Sequence, residues 1–216
     1  MDIIGIVGLP GSGKTEISNY ARERGIPVIS MGDVVRGECL QRDLDPANYH
    51  GEIAKRIREE LGMDAIAKLT VPLIYEVIEN QNKIIVDGIR SGEEVEVFRR
   101  EFEGKFRLVK VESPFKMRLD RIRDRGRDNP EVETLDERDN RELGFGLKDA
   151  MESAEIGIEN SGTIDELPLK LSKLINSNHT NKKIVVKSTS MPKTSHRLVT
   201  VGITTSSGSS LSRYEV

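Results

Sequence analysis

Eight residues near the start of the chain, GLPGSGKT at 8–15, have the types and spacing to hold a nucleotide phosphate. Gly8, Gly13, Lys14 and Thr15 complete the G-x-x-x-x-G-K-[ST] pattern, the Walker A signature. Backbone N–H groups turn toward phosphate oxygens most readily where no Cβ obstructs them, hence the glycines. Lys14 offers a point charge to the β and γ phosphates and Thr15 a hydroxyl to Mg²⁺. The helix that follows presents its positive end to the anion. Gly8, Pro10, Gly11, Ser12, Gly13, Lys14 and Thr15 are therefore the candidate phosphate-binding residues. The segment IIVDGIR supplies a second element: Asp87 ends an apolar run, where a carboxylate is costly unless it serves a ligand. Asp87 and Thr15 are the candidate Mg²⁺ ligands; a turn-forming Asp-Gly pair is the simpler alternative for Asp87. No Asn-Lys-x-Asp guanine-reading motif occurs, which disfavours a GTPase switch.

Arginine suits the charge that develops when a phosphoryl group is transferred, because its planar fork is always charged. ISMGDVVR places Asp33 and Arg36 just beyond one predicted strand, and DGIR places Arg90 just beyond another. Ends of adjacent parallel strands lie together, at the same edge as the phosphate loop, so Arg36 and Arg90 are expected to converge on one anion. In MRLDRIRDRGRD, residues 117–128, Arg118, Arg121 and Arg125 share one helical face, with Asp120 and Asp124 partly offsetting their repulsion. Arg127, Arg138 and Arg141 follow in a polar stretch, as in a flap that closes over triphosphate. The competing reading for each group is a solvated surface.

These residues need a scaffold, and the apolar pattern provides one. Five short apolar runs, 3–7, 26–30, 83–87, 106–112 and 155–159, read as strands. Between them lie helical patterns: Ile17, Tyr20 and Ala21; Ile53, Ile57 and Leu61; Ile66, Leu69, Leu73 and Val77 after an Asp64 cap, with Pro72 a kink; Val95, Phe98 and Phe102; and Phe115, Leu119 and Ile122. Thr134 with Glu137, and Thr163 with Glu166, have capping-box spacing. Leu167, Leu171 and Leu174 suggest a closing helix. The alternation predicts an α/β fold of the P-loop NTPase type, a five-stranded parallel sheet covered on both faces.

The chain has 216 residues, of which 32% are charged and 36% hydrophobic, and no apolar run approaches a membrane span of roughly 18 residues. The start runs straight into a strand, leaving no room for a signal peptide, and Cys39 is the single cysteine; both point to a cytoplasmic protein. Residues 177–216 hold six Lys or Arg and one acidic residue, a net of +5, while the remainder carries a net of −8. An acidic body argues against a nucleic-acid binder. The tail, with 15 Ser or Thr among its residues, reads as flexible chain, a hairpin added to an edge, or the stub of a further domain, and offers a place for a protein partner.

GLPGSGKT, ISMGDVVR, DGIR and RDRGRD stand in the order seen in adenylate kinase and other nucleoside monophosphate kinases, and IENSGTIDEL resembles the adenine-side loop of dephospho-CoA kinases. VGLPGSGK, MGDVVR, GMDAIAK and VDGIRS are similar to an uncharacterised archaeal P-loop kinase-like family, and the resemblance covers about residues 1–176. It implies a nucleoside monophosphate kinase-like fold with an acceptor-covering insertion at about 37–70 and a lid at about 118–146. It implies ATP phosphates on the loop, an acceptor phosphate on Arg36 and Arg90, and lid or hinge roles for Arg123, Arg127 and Arg138. Asn160 and Gly162 would lie near adenine. Met31 departs from the Thr or Ser of adenylate kinase, and DGIRS lacks the usual Phe-Pro pair. The expectation is a Mg²⁺- and ATP-dependent kinase acting on a nucleotide-like acceptor. Its catalytic set is Lys14, Arg36, Arg90, Arg127 and Arg138, with Asp33 as a further acceptor contact. The alternatives are a P-loop ATPase or nucleotide sensor, and a nucleic-acid binder using the tail.

Overall fold

The computed structural model describes residues 2–125, 134–162, 170, 172, 183–186, 198–205 and 208–215. Five parallel strands form the heart of the molecule: β1 (Asp2–Val7), β2 (Val28–Ser30), β3 (Lys83–Asp87), β4 (Phe106–Glu112) and β5 (Ile156–Glu159). They are ordered β2-β3-β1-β4-β5. The register pairs Gly5 with Val86 on one side and with Leu108 on the other, so β1 lies in the middle. The loop after β1 therefore emerges at the centre of the carboxyl edge, where open parallel sheets place ligands. The expected count of five holds for this part; among the described residues the sheet has eight strands. β6 (Lys183–Val186) runs parallel to β5, and β7 (Leu198–Thr205) and β8 (Gly208–Glu215) add an antiparallel hairpin.

Side chains alternate along each strand and feed two cores. Ile3, Val7, Ile84, Val86 and Leu108 face one layer of helices. This layer contains α2 (Met31–Gln41), α3 (Pro46–Leu61), α4 (Ala65–Ile78), α5 (Gly92–Glu101) and α8 (Leu147–Glu152). Ile4, Ile6, Ile85, Val109, Val111, Ile156 and Ile158 face the other way, against α1 (Lys14–Glu23). Gly5 is a packing requirement: a Cβ there would come within 2.6 Å of Phe106 Cζ, whose ring stacks on Phe98.

Several local readings need correction. The helix placed at 51–61 begins at Pro46, because Asp45 caps it by accepting from Ala47 N and proline suits its first turn. Asp64 makes no cap bond and instead pairs with Lys68 at 2.8 Å. Leu69 and Leu73 are exposed, and α4 buries Ile66, Thr70 and Ile74, a face rotated from the leucines. In α6 (Phe115–Arg125) Phe115 is exposed and the buried residue is Arg118, for reasons that lie in the phosphate loop. The Thr134 capping box is present at the start of α7 (Leu135–Gly144). Thr163 and Glu166 lie outside the described residues.

Candidate functional site

Residues 8–13 wrap from β1 into α1. Glycine is needed here for contact as much as for conformation. A Cβ on Gly8 would lie 2.4 Å from the carbonyl oxygen of Val111, and one on Gly11 would lie 2.8 Å from that of Arg118. Gly11 and Gly13 have φ of 75° and 110°, the left-handed region that side chains resist. Three side chains grip the outer surface of the loop. Arg118 Nη1 donates to Pro10 O at 3.1 Å, Asn160 Nδ2 donates to Ser12 O at 2.8 Å, and Arg121 Nη1 reaches Gly11 O at 3.4 Å. The Ser12 hydroxyl is buried inside the loop with no hydrogen-bond partner, a polar atom awaiting a ligand.

Lys14 curls back over its own loop, donating to Gly8 O at 2.5 Å and Leu9 O at 3.1 Å. Burial pushes its ammonium down to about 8, although Asp87 and Glu142 nearby oppose the shift. A polyanion at this point would restore the charge. Asp87 ends β3 as expected, and Ser18 Oγ donates to its Oδ2 at 3.3 Å. Thr15 is exposed on the first turn of α1. Thr15 and Asp87 line one cavity together and supply two oxygen donors. That suits Mg²⁺, which takes the rest of its shell from phosphates and water. Among the described residues no three His, Cys, Asp or Glu side chains gather into a metal cage.

The cavity, about 320 Å³, runs from the loop to Arg36 and Arg90. Lys14, Thr15, Arg36, Asp87, Arg90 and Arg138 all line it, so residues from four separate stretches of chain meet there. Met31, Val35, Ala54, Ile66, Ile89 and Leu147 supply apolar wall. Asp33 is not among the lining residues; it is exposed on α2 and accepts from Arg36 Nε at 2.8 Å. Arg123 is exposed on α6. The amide of Asn160 is committed to the phosphate loop, and Gly162 lies two residues beyond it. Arg127 lies outside the described residues.

Three lining residues were not singled out from sequence. His50 Nε2 lies 3.2 Å from Gly32 O, and burial lowers its pKa, with Arg36, Arg90 and Arg58 adding to the shift. Arg58 is buried, pairing with Glu94 at 3.1 Å, and Glu94 also accepts from Arg90 N at 2.7 Å. Burial pushes the Glu94 carboxyl up while Arg58 opposes it. This pair ties α3 to α5 beneath the cavity. Glu142 accepts from Arg90 Nη1 at 3.0 Å. Only Glu142 carried a local signal, standing four residues from Arg138 and hence on the same helical face. Arg58 and Glu94 are 36 residues apart and the sequence does not announce their pairing.

The parallel sheet, the glycine-gripped loop and the lysine over it define a P-loop, kinase-like α/β protein. A family model described as "AAA domain" matches residues 4–143. The chain belongs to that family and to the UPF0200 family of archaeal proteins. It is 47% identical to a UPF0200 protein of Halobacterium salinarum over 166 residues, 76% of this chain and 87% of the relative. It is 42% identical to one from Pyrococcus horikoshii, over 80% of this chain and 95% of the relative. Solved structures share the fold. TT1252 from Thermus thermophilus superposes with a TM-score of 0.56 at 18% identity, covering 81% of this chain and 96% of its own. A shikimate kinase from Bacteroides thetaiotaomicron gives 0.53 at 17% identity, covering 82% and 99%. Among the described residues no helix is long and apolar enough to cross a membrane.

Proposed function

We propose that the protein is an ATP- and Mg²⁺-dependent phosphotransferase of the cytoplasm, acting on a small, anionic, nucleotide-like acceptor. The observation that carries this reading is the continuity of one cavity from Lys14 to Arg36 and Arg90.

In this reading the loop amides hold the ATP phosphates and Lys14 leaves its own carbonyls for the β and γ oxygens. Mg²⁺ on Thr15 and Asp87 would neutralise phosphate charge. Arg36 and Arg90 orient the acceptor. Arg138, on α7, adds charge as water is excluded. The apolar wall around Met31 and Ile66 shields the site from solvent.

The test is ADP release from Mg-ATP with and without added acceptors, with Lys14→Ala as the blank. Stimulation by an acceptor, lost in Arg36→Ala and Arg90→Ala while ATP binding persists, is the expected result. One observation favours a second reading, a nucleotide sensor: Asp33 already holds Arg36 and Glu142 already holds Arg90. A sensor would bind ATP through Lys14 with turnover indifferent to both arginine substitutions.

A further inference from the structure

Glu94 and Asp139 are held in buried pairs with Arg58 and Arg118; the three other carboxylates near the phosphate loop, Arg36 and Arg90 are not equivalent. Asp87 ends β3 and faces Ser18, at the place of a metal ligand. Asp33 is exposed, bound to Arg36 and outside the cavity lining. Glu142 lines the cavity from α7 and is only 6% exposed. Its Oε1 accepts from Arg90 Nη1 at 3.0 Å and lies 3.6 Å from Arg141 Nη2. Both of these contacts use Oε1. Glu142 is also close enough for its charge to support the Lys14 ammonium. A carboxylate that lines the cavity thus stands between the cation that receives the transferring phosphoryl group and the arginine at the acceptor end.

That is the position a nucleophile has to reach, and the carboxylate discriminates between nucleophiles. A phosphate arrives as an anion, already deprotonated. It needs no base, and Glu142 would repel it. A hydroxyl arrives neutral, as a hydrogen-bond donor, and its proton has to leave as the new bond forms. We propose that Glu142 is the catalytic base of this site and that the acceptor presents a hydroxyl, not a phosphate, to ATP. The hydroxyl donates to Oε2. Its oxygen bonds to the γ-phosphorus as the bond from that phosphorus to the β,γ-bridging oxygen breaks. ADP leaves with the electron pair, and the proton passes to Glu142 and then to water. Arg90 keeps its remaining donors, with Arg36, for anionic groups elsewhere on the acceptor. This inference rests on the phosphotransferase reading and narrows its acceptor.

The full chain is assayed with Mg-ATP in four settings. These are water alone, shikimate or dephospho-CoA as hydroxyl probes, and the nucleoside monophosphates as phosphate probes. Wild type is compared with Glu142→Gln, which keeps the side-chain shape and a bond to Arg90, and with Glu142→Asp, which keeps the base. The expected result is turnover with water or a hydroxyl probe that falls ~10²–10⁴-fold in kcat for Glu142→Gln, with little change in the KM for ATP. Glu142→Asp recovers part of the rate. Turnover abolished by Lys14→Ala but indifferent to Glu142→Gln overturns this inference alone, as does transfer of the γ-phosphoryl group to an added nucleoside monophosphate, read as a diphosphate made from that probe. Absence of Lys14-dependent turnover with every probe overturns the phosphotransferase reading as well.

Discussion

The two ends of the cavity are built from different materials. At the phosphate end, glycines and backbone do the holding, and buried side chains brace them from outside. Arg118 and Asn160 are 4% exposed each. At the other end, the proposed acceptor end, long charged side chains line the cavity, and they are more open: the side chains of Arg36 and Arg90 are 51% and 38% exposed. Triphosphate is the same in every NTP, so a rigid backbone cradle suits it. Acceptors differ, so that end is assembled from side chains that already have internal partners to exchange.

The largest expected effect comes from the brace. Arg118→Ala leaves Asp139 buried without its bidentate partner, at 2.9 and 2.6 Å, and should destabilise the fold by about 3–5 kcal/mol in chemical denaturation. If the protein melts normally, the phosphate end is not the rigid one and the contrast fails. Lys14→Ala should lower ATP turnover by about 10³-fold, a loss on the scale of removing one strong electrostatic contact to the transition state. Arg90→Ala should raise the acceptor KM by roughly 10²-fold with ATP affinity kept, since it removes a charged contact at one end only; isothermal titration with a non-hydrolysable ATP analogue checks the second half. A drop in ATP affinity would merge the two ends.

The pH dependence is smaller and its sign is fixed. Lys14 sits at about 8 in the empty site, and bound phosphate raises it. ATP affinity is therefore full below about pH 8 and falls by up to about tenfold per unit above it, until the bound-state value is passed. A flat profile from pH 7 to about 9.5 would mean that Lys14 does not carry the anion. Thr134→Ala, which removes the α7 cap, should cost about 1 kcal/mol and leave ATP binding untouched.

The same contrast explains what the sequence could reveal. The phosphate end is local: eight consecutive residues, then an aspartate at the end of an apolar strand. Parallel strands bring Asp87 beside the loop without any further information, and they also bring Arg36 and Arg90 to one edge. Glu142, Arg58 and His50 escape because their meaning lies in long-range packing. Arg118 was read as one member of a charged helical face, and so it is, but that face turns inward to a backbone carbonyl. Apolar spacing misplaced the buried sides of α4 and α6 for a related reason. α6 packs on the loop through guanidinium groups, so its buried side carries charge and Phe115 is left outside. Asn160 follows the strand β5 at the height of the loop, where its amide braces Ser12; the resemblance to adenine-side loops carried no hint of that duty.

Arg118 joins Pro10 of the loop to Asp139 of α7 through one guanidinium. A displacement of α7 would therefore pull on the loop. A nucleotide that favours one α7 position must bind more tightly when another molecule has already stabilised that position, and by the same factor in either order. The two substrates would then be thermodynamically coupled without touching one another, through a single planar group acting as the yoke between them.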